Sequence, residues 1–261
     1  MISVDLHTHT TYCDGKNTPE EMVKAAIDKG LSCIGFSVHS YTHFDESYCI
    51  KKDRIGEYKS EINLLKEKYK DKIKILCGVE QDYYSDEPTD GFDFVIGSVH
   101  YIKADDVYIP VDESGEIFAG AVKRYFGGDF YSFAEEYFKT VSDVVYKTNA
   151  DIIGHFDLIT KFNEKGKYFD ERNERYITAY KAAADRLIPC NVPFEINTGA
   201  ISRGYRSTPY PSVDILRYIK EKNGRVILSS DSHSSLSLCF RFEECEKIAK
   251  KIGFDNILYS V

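Results

Sequence analysis

Residues 1–39 read MISVDLHTHTTYCDGKNTPEEMVKAAIDKGLSCIGFSVH. Two short apolar runs, ISVDL and CIGFSV, read as strands on either side of a helix whose ends are marked. Thr18 is placed to cap that helix, Pro19 to open its first turn, Glu21 to complete a capping box and Gly30 to stop it. A strand, a helix and a second strand in succession predict parallel pairing. Each strand also ends on histidine: His7 and His9 follow the first, and His39 ends the second. Alternate strand residues share a face, so His7 and His9 point together. Adjacent imidazoles suit the grip on a metal ion better than they suit a core.

The same rhythm continues outward. Residues 52–70 carry Ile55, Tyr58, Ile62, Leu65 and Tyr69 at helical spacing. KIKILCGV and FDFVIGSV read as the third and fourth strands. Residues 101–130 are less regular, with a hairpin expected around YIKADDVYIPV. A helix near 131–148 precedes DIIGHF, the fifth strand. A helix near 170–187 precedes VPFEIN, the sixth, and one near 212–223 precedes RVILSS, the seventh. A last helix near 242–252 leads to the apolar end NILYSV. No linker, repeat or composition shift interrupts the chain, so residues 1–261 read as one domain. This many strand–helix units favours a closed, TIM-like α/β barrel over an open doubly wound sheet.

Composition narrows the function. The 261 residues are 43% hydrophobic, with net charge −8 and no block of Lys and Arg. That argues against a broad nucleic-acid or membrane-surface partner, which needs a basic footprint. The seven cysteines are scattered without a CxxC pair, as in a protein kept reduced. The first strand starts too early for a signal peptide and no run is long enough to span a membrane, so a cytoplasmic location is expected.

The ligand-type residues fall in one pattern. His7 and His9, His39, Glu80, His100, His155, and Asp231 with His233 lie at the ends of strands one, two, three, four, five and seven. In a parallel barrel these ends meet at one rim, where the active site sits. A lone histidine at a strand end is usually structural; six of the chain's seven at equivalent ends are not explained that way. Only His43, on the loop after the second strand, falls outside the set. Imidazole with carboxylate suits Zn, Mn or Fe. The ligands outnumber the needs of one ion, so two to three divalent ions are expected, with Glu80 as a bridge. Asp5 is placed either to orient an imidazole or to pair across the sheet. Neither GxSxG nor a P-loop occurs.

In this order, HTH, Asp14, His39, Glu80, GSVH at 97–100, GH at 154–155 and SDSH at 230–233 resemble the PHP (polymerase and histidinol phosphatase) superfamily along nearly the whole chain. The resemblance implies a distorted (β/α)7 barrel with up to three metals at the strand carboxyl ends. It implies His7, His9, Glu80 and Asp231 on a first ion, Glu80, His100 and His155 on a second, and Asp14, His39 and His233 on a third. GHFDLITKFN and EINTGAISRGYRSTPYPS look like stretches that mark the histidinol-phosphatase branch. One departure stands out: many of that branch carry a His shortly after the aromatic–Cys pair, where this chain has Tyr12-Cys13-Asp14-Gly15. Cys13 itself reads as packing.

The expected chemistry is phosphomonoester hydrolysis of a small-molecule substrate, with Glu80, Asp231 and His233 at the reacting centre. His233 or a bound water would protonate the leaving group. Arg203 is the leading phosphate clamp, since guanidinium meets phosphate in a bidentate way. Arg206 and Lys161 are further candidates. Asn197 either contacts substrate or caps its own loop. The rivals are a nucleotide, oligonucleotide or other phosphoesterase with the same metals, such as a phosphotyrosine phosphatase, and a non-catalytic metal-binding module.

Overall fold

The computed structural model describes residues 4–258. In chain order the strands are β1 (Val4–Asp5), β2 (Cys33–His39), β3 (Lys74–Asp82), β4 (Phe94–Ser98), β5 (Tyr101–Ala104), β6 (Val107–Pro110), β7 (Ile152–Ile153), β8 (Phe194–Asn197) and β9 (Val226–Ser229). The helices are α1 (Pro19–Asp28), α2 (Ile55–Tyr69), α3 (Gly115–Tyr125), α4 (Phe130–Val141), α5 (Val144–Thr148), α6 (Glu174–Leu187), α7 (Gly199–Ser202), α8 (Val213–Glu221) and α9 (Phe242–Ile252). Seven strands pair in parallel in the order β1-β2-β3-β4-β7-β8-β9, while β5 and β6 form an antiparallel hairpin. The expected barrel is therefore present.

The barrel draws together just beyond β9, at the level of the histidines. Thr8 and Ser232 form a parallel bridge. His9 N donates to Ser232 O at 2.8 Å, and Ser232 N donates to His7 O at 3.0 Å. Below this seam the interior is apolar, with Leu6, Cys33, Phe94, Ile96, Ile152 and Ile227 in one cluster. Phe94 leaves no room beside it: a Cβ on Gly78 would lie 2.4 Å from its ring. Glycine is needed there for this close approach.

Helices cover the outside with their apolar faces. The α1 capping box forms as expected between Thr18 and Glu21. Tyr58, Ile62, Leu65 and Tyr69 of α2 are buried, and Tyr58 OH donates to Phe36 O and Gly78 O, tying the helix to β2 and β3. The hairpin at 101–111 is also as expected, but α3 within the irregular stretch was not; Ser114 caps it by accepting from Ile117 N. The helix expected over 131–148 is two, because the backbone turns at Ser142, the α4 C-cap, and Asp143, the α5 N-cap. The fifth strand shrinks to Ile152–Ile153. Ile2 and Ser3 of the first expected strand, and Tyr259, Ser260 and Val261 of the apolar end, lie outside the described residues. Among the described residues no helix is long and apolar enough to cross a membrane.

Candidate active site

Strand register brings the first pair together. His39 and Glu80 are Cα partners on β2 and β3, so their side chains start side by side. Glu80 is the centre of the site. Its Oε2 lies 2.9 Å from His39 Nδ1, 3.2 Å from His7 Nε2 and 3.6 Å from His9 Nε2. Its Oε1 lies 2.9 Å from His155 Nε2 and 3.4 Å from His100 Nε2, and accepts from Ser98 Oγ at 2.7 Å. Asp231 Oδ1 lies 3.4 Å from both His9 Nε2 and His233 Nδ1. Asp14 reaches the same cluster, with Oδ2 3.1 Å from His233 Nε2 and Oδ1 3.6 Å from His39 Nε2. All nine residues expected as ligands thus converge.

Their donor atoms fit a cation. His7 Nε2, His9 Nε2, His39 Nδ1 and Glu80 Oε2 are buried without a hydrogen-bond partner. Such atoms cost about 1–3 kcal/mol each when left unsatisfied, and a divalent ion satisfies several at once. Three overlapping sets have ligand atoms within 4.8 Å of one another: His7, His9 and Glu80; His39, Glu80 and His100; and His9, Asp14, His39 and His233. These sets overlap the expected partition and differ from it in three ways: Asp231 is absent from the first set, His39 stands in the second where His155 was expected, and His9 joins the third.

The electrostatics are those of a site primed for positive charge. Burial opposes ionisation of Glu80, yet His7, His39 and His100 hold its carboxyl well below the usual range. Burial likewise opposes the charge on Asp231, but Arg203 and His7 keep it well below the ordinary carboxylate value. Burial disfavours the imidazolium of His7, but Glu195, Glu80 and Asp231 outweigh it and raise its pKa well above the ordinary value. Burial and the neighbouring His233 and His39 push His9 the other way.

A second layer, absent from the sequence expectations, holds the imidazoles. Glu195 Oε1 meets His7 Nδ1 at 2.5 Å, and Glu195 Oε2 accepts from His155 N at 2.9 Å. Asp82 Oδ2 meets His100 Nδ1 at 3.2 Å. Carboxylates on Nδ1 leave Nε2 free to ligate. Asp5 does not serve this purpose: it accepts from Ser230 Oγ, Ser230 N and Cys239 N, fixing the segment after β9. Cys13 does more than pack, with Sγ 3.5 Å from His9 Nδ1. His43 is exposed.

The cluster opens into a cavity of about 300 Å³ whose wall includes Tyr48, Tyr101, Leu158 and Tyr205. Arg203 and Lys161 line it. Arg203 Nη2 donates to Asp231 Oδ2 at 3.0 Å, Nη1 donates to Asp231 O at 2.9 Å, and Nη1 lies 3.0 Å from His233 Nδ1. Lys161 Nζ donates to Asp112 Oδ2 at 3.0 Å. Arg206, by contrast, stays outside the cavity wall: it is buried, donates to Thr160 O at 2.8 Å and lies over the Tyr210 ring. This corrects the expectation that it reaches substrate. Asn197 resolves to the loop-capping alternative. Its Oδ1 accepts from Gly199 N at 2.8 Å and its Nδ2 donates to Glu195 Oε2 at 2.8 Å.

The PHP domain family matches residues 5–199, three quarters of the chain. A histidinol-phosphatase of Lactococcus lactis subsp. lactis is 28% identical over 98% of this chain and 94% of its own length. That of Bacillus subtilis is 26% identical over 93% of this chain and 98% of its own length. A crystal structure of the Lactococcus histidinol phosphate phosphatase, complexed with zinc, L-histidinol and phosphate, covers 98% of this chain at 26% identity with a TM-score of 0.72, and 95% of that chain is covered in turn. With the barrel, the convergent histidines and this match in hand, the chain belongs to the PHP-domain family.

Proposed function

We propose that this chain is a metal-dependent phosphomonoesterase that converts L-histidinol phosphate and water to L-histidinol and phosphate, a step of histidine biosynthesis. The observation that carries this reading is Glu80, with both carboxylate oxygens turned to imidazole nitrogens from four other segments around one cavity. The substrate comes from the relatives, which are named histidinol-phosphatases and align along nearly the whole chain. Two to three divalent ions, of zinc, manganese or iron, would be held by His7, His9, Asp14, His39, Glu80, His100, His155, Asp231 and His233. When bound, such ions supply positive charge for phosphoryl transfer and make water acidic enough to act as a nucleophile near neutral pH.

The protein's own groups do the rest. Glu195 and Asp82 fix the ring orientation of His7 and His100, so the ligands need little reorganisation. Arg203 stands at the junction of Asp231 and His233 and would clamp a phosphate oxygen, where charge spreads in the transition state. His233 is the partly exposed imidazole of the cluster, about one fifth exposed; where it holds no ion it would protonate the departing alkoxide, and otherwise a bound water would. Tyr48, Tyr101 and Leu158 limit water around the reacting group.

The test compares kcat/KM of the zinc- or manganese-loaded protein for L-histidinol phosphate, p-nitrophenyl phosphate, nucleotides and short oligonucleotides. A preference of orders of magnitude for L-histidinol phosphate is expected. Equal low rates on all of them would overturn the substrate while leaving the phosphoesterase chemistry.

A further inference from the structure

Four imidazoles face Glu80 through Nε2: His7, His9, His100 and His155. On the other ring nitrogen, Glu195 meets His7, Cys13 Sγ meets His9 and Asp82 meets His100. His155 differs. Its Nδ1 is buried with no hydrogen-bond partner among the described residues. An imidazole that ligates through Nε2 keeps its proton on Nδ1, and that proton is almost always held by a carboxylate, a carbonyl or a water.

Two further buried polar atoms without a partner belong to the same side of the barrel. The Tyr210 ring meets the His155 ring edge-on, with centroids 6.4 Å apart and planes at 74°, and its hydroxyl has no partner. Tyr210 is pinned at the end of β8: its N donates to Asn197 O at 3.0 Å, and Asn197 N donates to its O at 2.7 Å. Two residues on, Ser212 N donates to Asp157 Oδ2 at 3.0 Å, while Asp157 Oδ1 has no partner. Burial pushes the Tyr210 phenol well above its ordinary value; Arg206 opposes this and Asp157 adds to it, so the hydroxyl keeps its proton within electrostatic reach of both. A ring N–H, a hydroxyl and a carboxylate oxygen make the three polar partners that a buried water typically takes.

Resting on the metal-dependent function proposed above, we propose that Tyr210 is the positioning residue of His155, holding its Nδ1 through one buried water that passes the hydrogen bond on to Asp157. The water accepts the Nδ1 proton and donates to Asp157 Oδ1, with the Tyr210 hydroxyl as its third partner. His155 thereby gains, through a water, the kind of carboxylate support that His7 and His100 have directly. Tyr210 acts through the imidazole and lies outside the cavity wall, so it governs the hold on the ion and kcat rather than KM.

The experiment uses the full chain as wild type, Tyr210→Phe and Tyr176→Phe. Tyr176 carries an equally buried hydroxyl without a partner, but its ring meets Phe138, Phe169 and Tyr180 rather than His155. Zinc affinity is read by titration against a competing chelator, Tm on the metal-free chain, and the ring N–H of His155 by NMR on the zinc-loaded chain. In wild type that proton should exchange slowly and show a cross-peak to water. In Tyr210→Phe it should exchange faster, zinc affinity should fall about tenfold or more, and kcat should fall with KM and metal-free Tm near wild type. Tyr176→Phe should leave zinc affinity and the ring proton unchanged. Wild-type zinc affinity in Tyr210→Phe, or equal weakening in both variants, would overturn the proposal alone. A wild type that binds no zinc would overturn the metal-dependent function, and the role of Tyr210 with it.

Discussion

The floor and the wall of the cavity are built in different ways. The floor is made of strand ends and the turns just after them. His39 and Glu80 are fixed by register, Glu195 and Asp82 brace the imidazoles, and most of these side chains are fully buried. The wall is made of loops: Asp45 to Tyr48 after β2, Asp112 and Glu113 after the hairpin, Lys161 after β7, and Arg203 to Tyr205 beyond β8. Rigid elements place the reaction, and loops choose what enters it. A change in the floor should therefore reach metal and chemistry, whereas a change in the wall should reach KM and selectivity.

The sharpest way to break this division is Glu80→Ala. It removes the carboxylate shared by the converging imidazoles, so activity should drop at least about a thousandfold together with bound metal, read by phosphate release and metal analysis. Normal turnover would show that the floor is not where the chemistry lies. Glu195→Gln keeps the shape but weakens the hold on His7. A loss of about 10–100-fold in metal affinity or activity is expected, and a change confined to KM would move Glu195 into the wall.

Acidity provides a third measure. His7 has its pKa raised in the metal-free protein by Glu195, Glu80 and Asp231 despite burial, so it carries a proton there and must release it to ligate. Lower pH therefore favours the metal-free form. Apparent affinity should rise with pH by up to about tenfold per unit while one proton is displaced, as followed by calorimetry in buffers of different ionisation enthalpy. A flat profile would mean that His7 gives up no proton. The smallest effect separates two arginines of one loop. Arg203→Ala should raise KM about tenfold for phosphate substrates, whereas Arg206→Ala should lower Tm and leave KM close to wild type.

This division also explains what the sequence could reveal. Histidine is scarce in the chain, so its recurrence at strand ends carried the floor, and the capped α1 carried the first barrel unit. Glu195 was missed because it sits inside the apolar strand VPFEIN, where a lone carboxylate was the available signal. Asp5 was the partner for His7 that nearness in sequence offered; closure of the barrel instead brings Glu195 of β8, 188 residues away, to the imidazole. Arg203 and Arg206 are alike in sequence, and their fates diverge because the loop turns the second under Thr160 and against Tyr210. The break between α4 and α5 was hidden because Ser142 and Asp143 are compatible with a helix until packing decides.

The Thr8–Ser232 bridge has a consequence for the order of events in the cell. His7 and His9 flank one half of it and Asp231 and His233 the other, so the ions would act as a clasp on the barrel's last joint. Synthesis delivers these halves far apart in time, because more than 220 positions separate His9 from Asp231. Loading and ring closure would then be a single late event, and an unloaded chain would be a barrel left unlatched. The amides of His9 and Ser232, slow to exchange when the clasp is shut, would be the ones to record it.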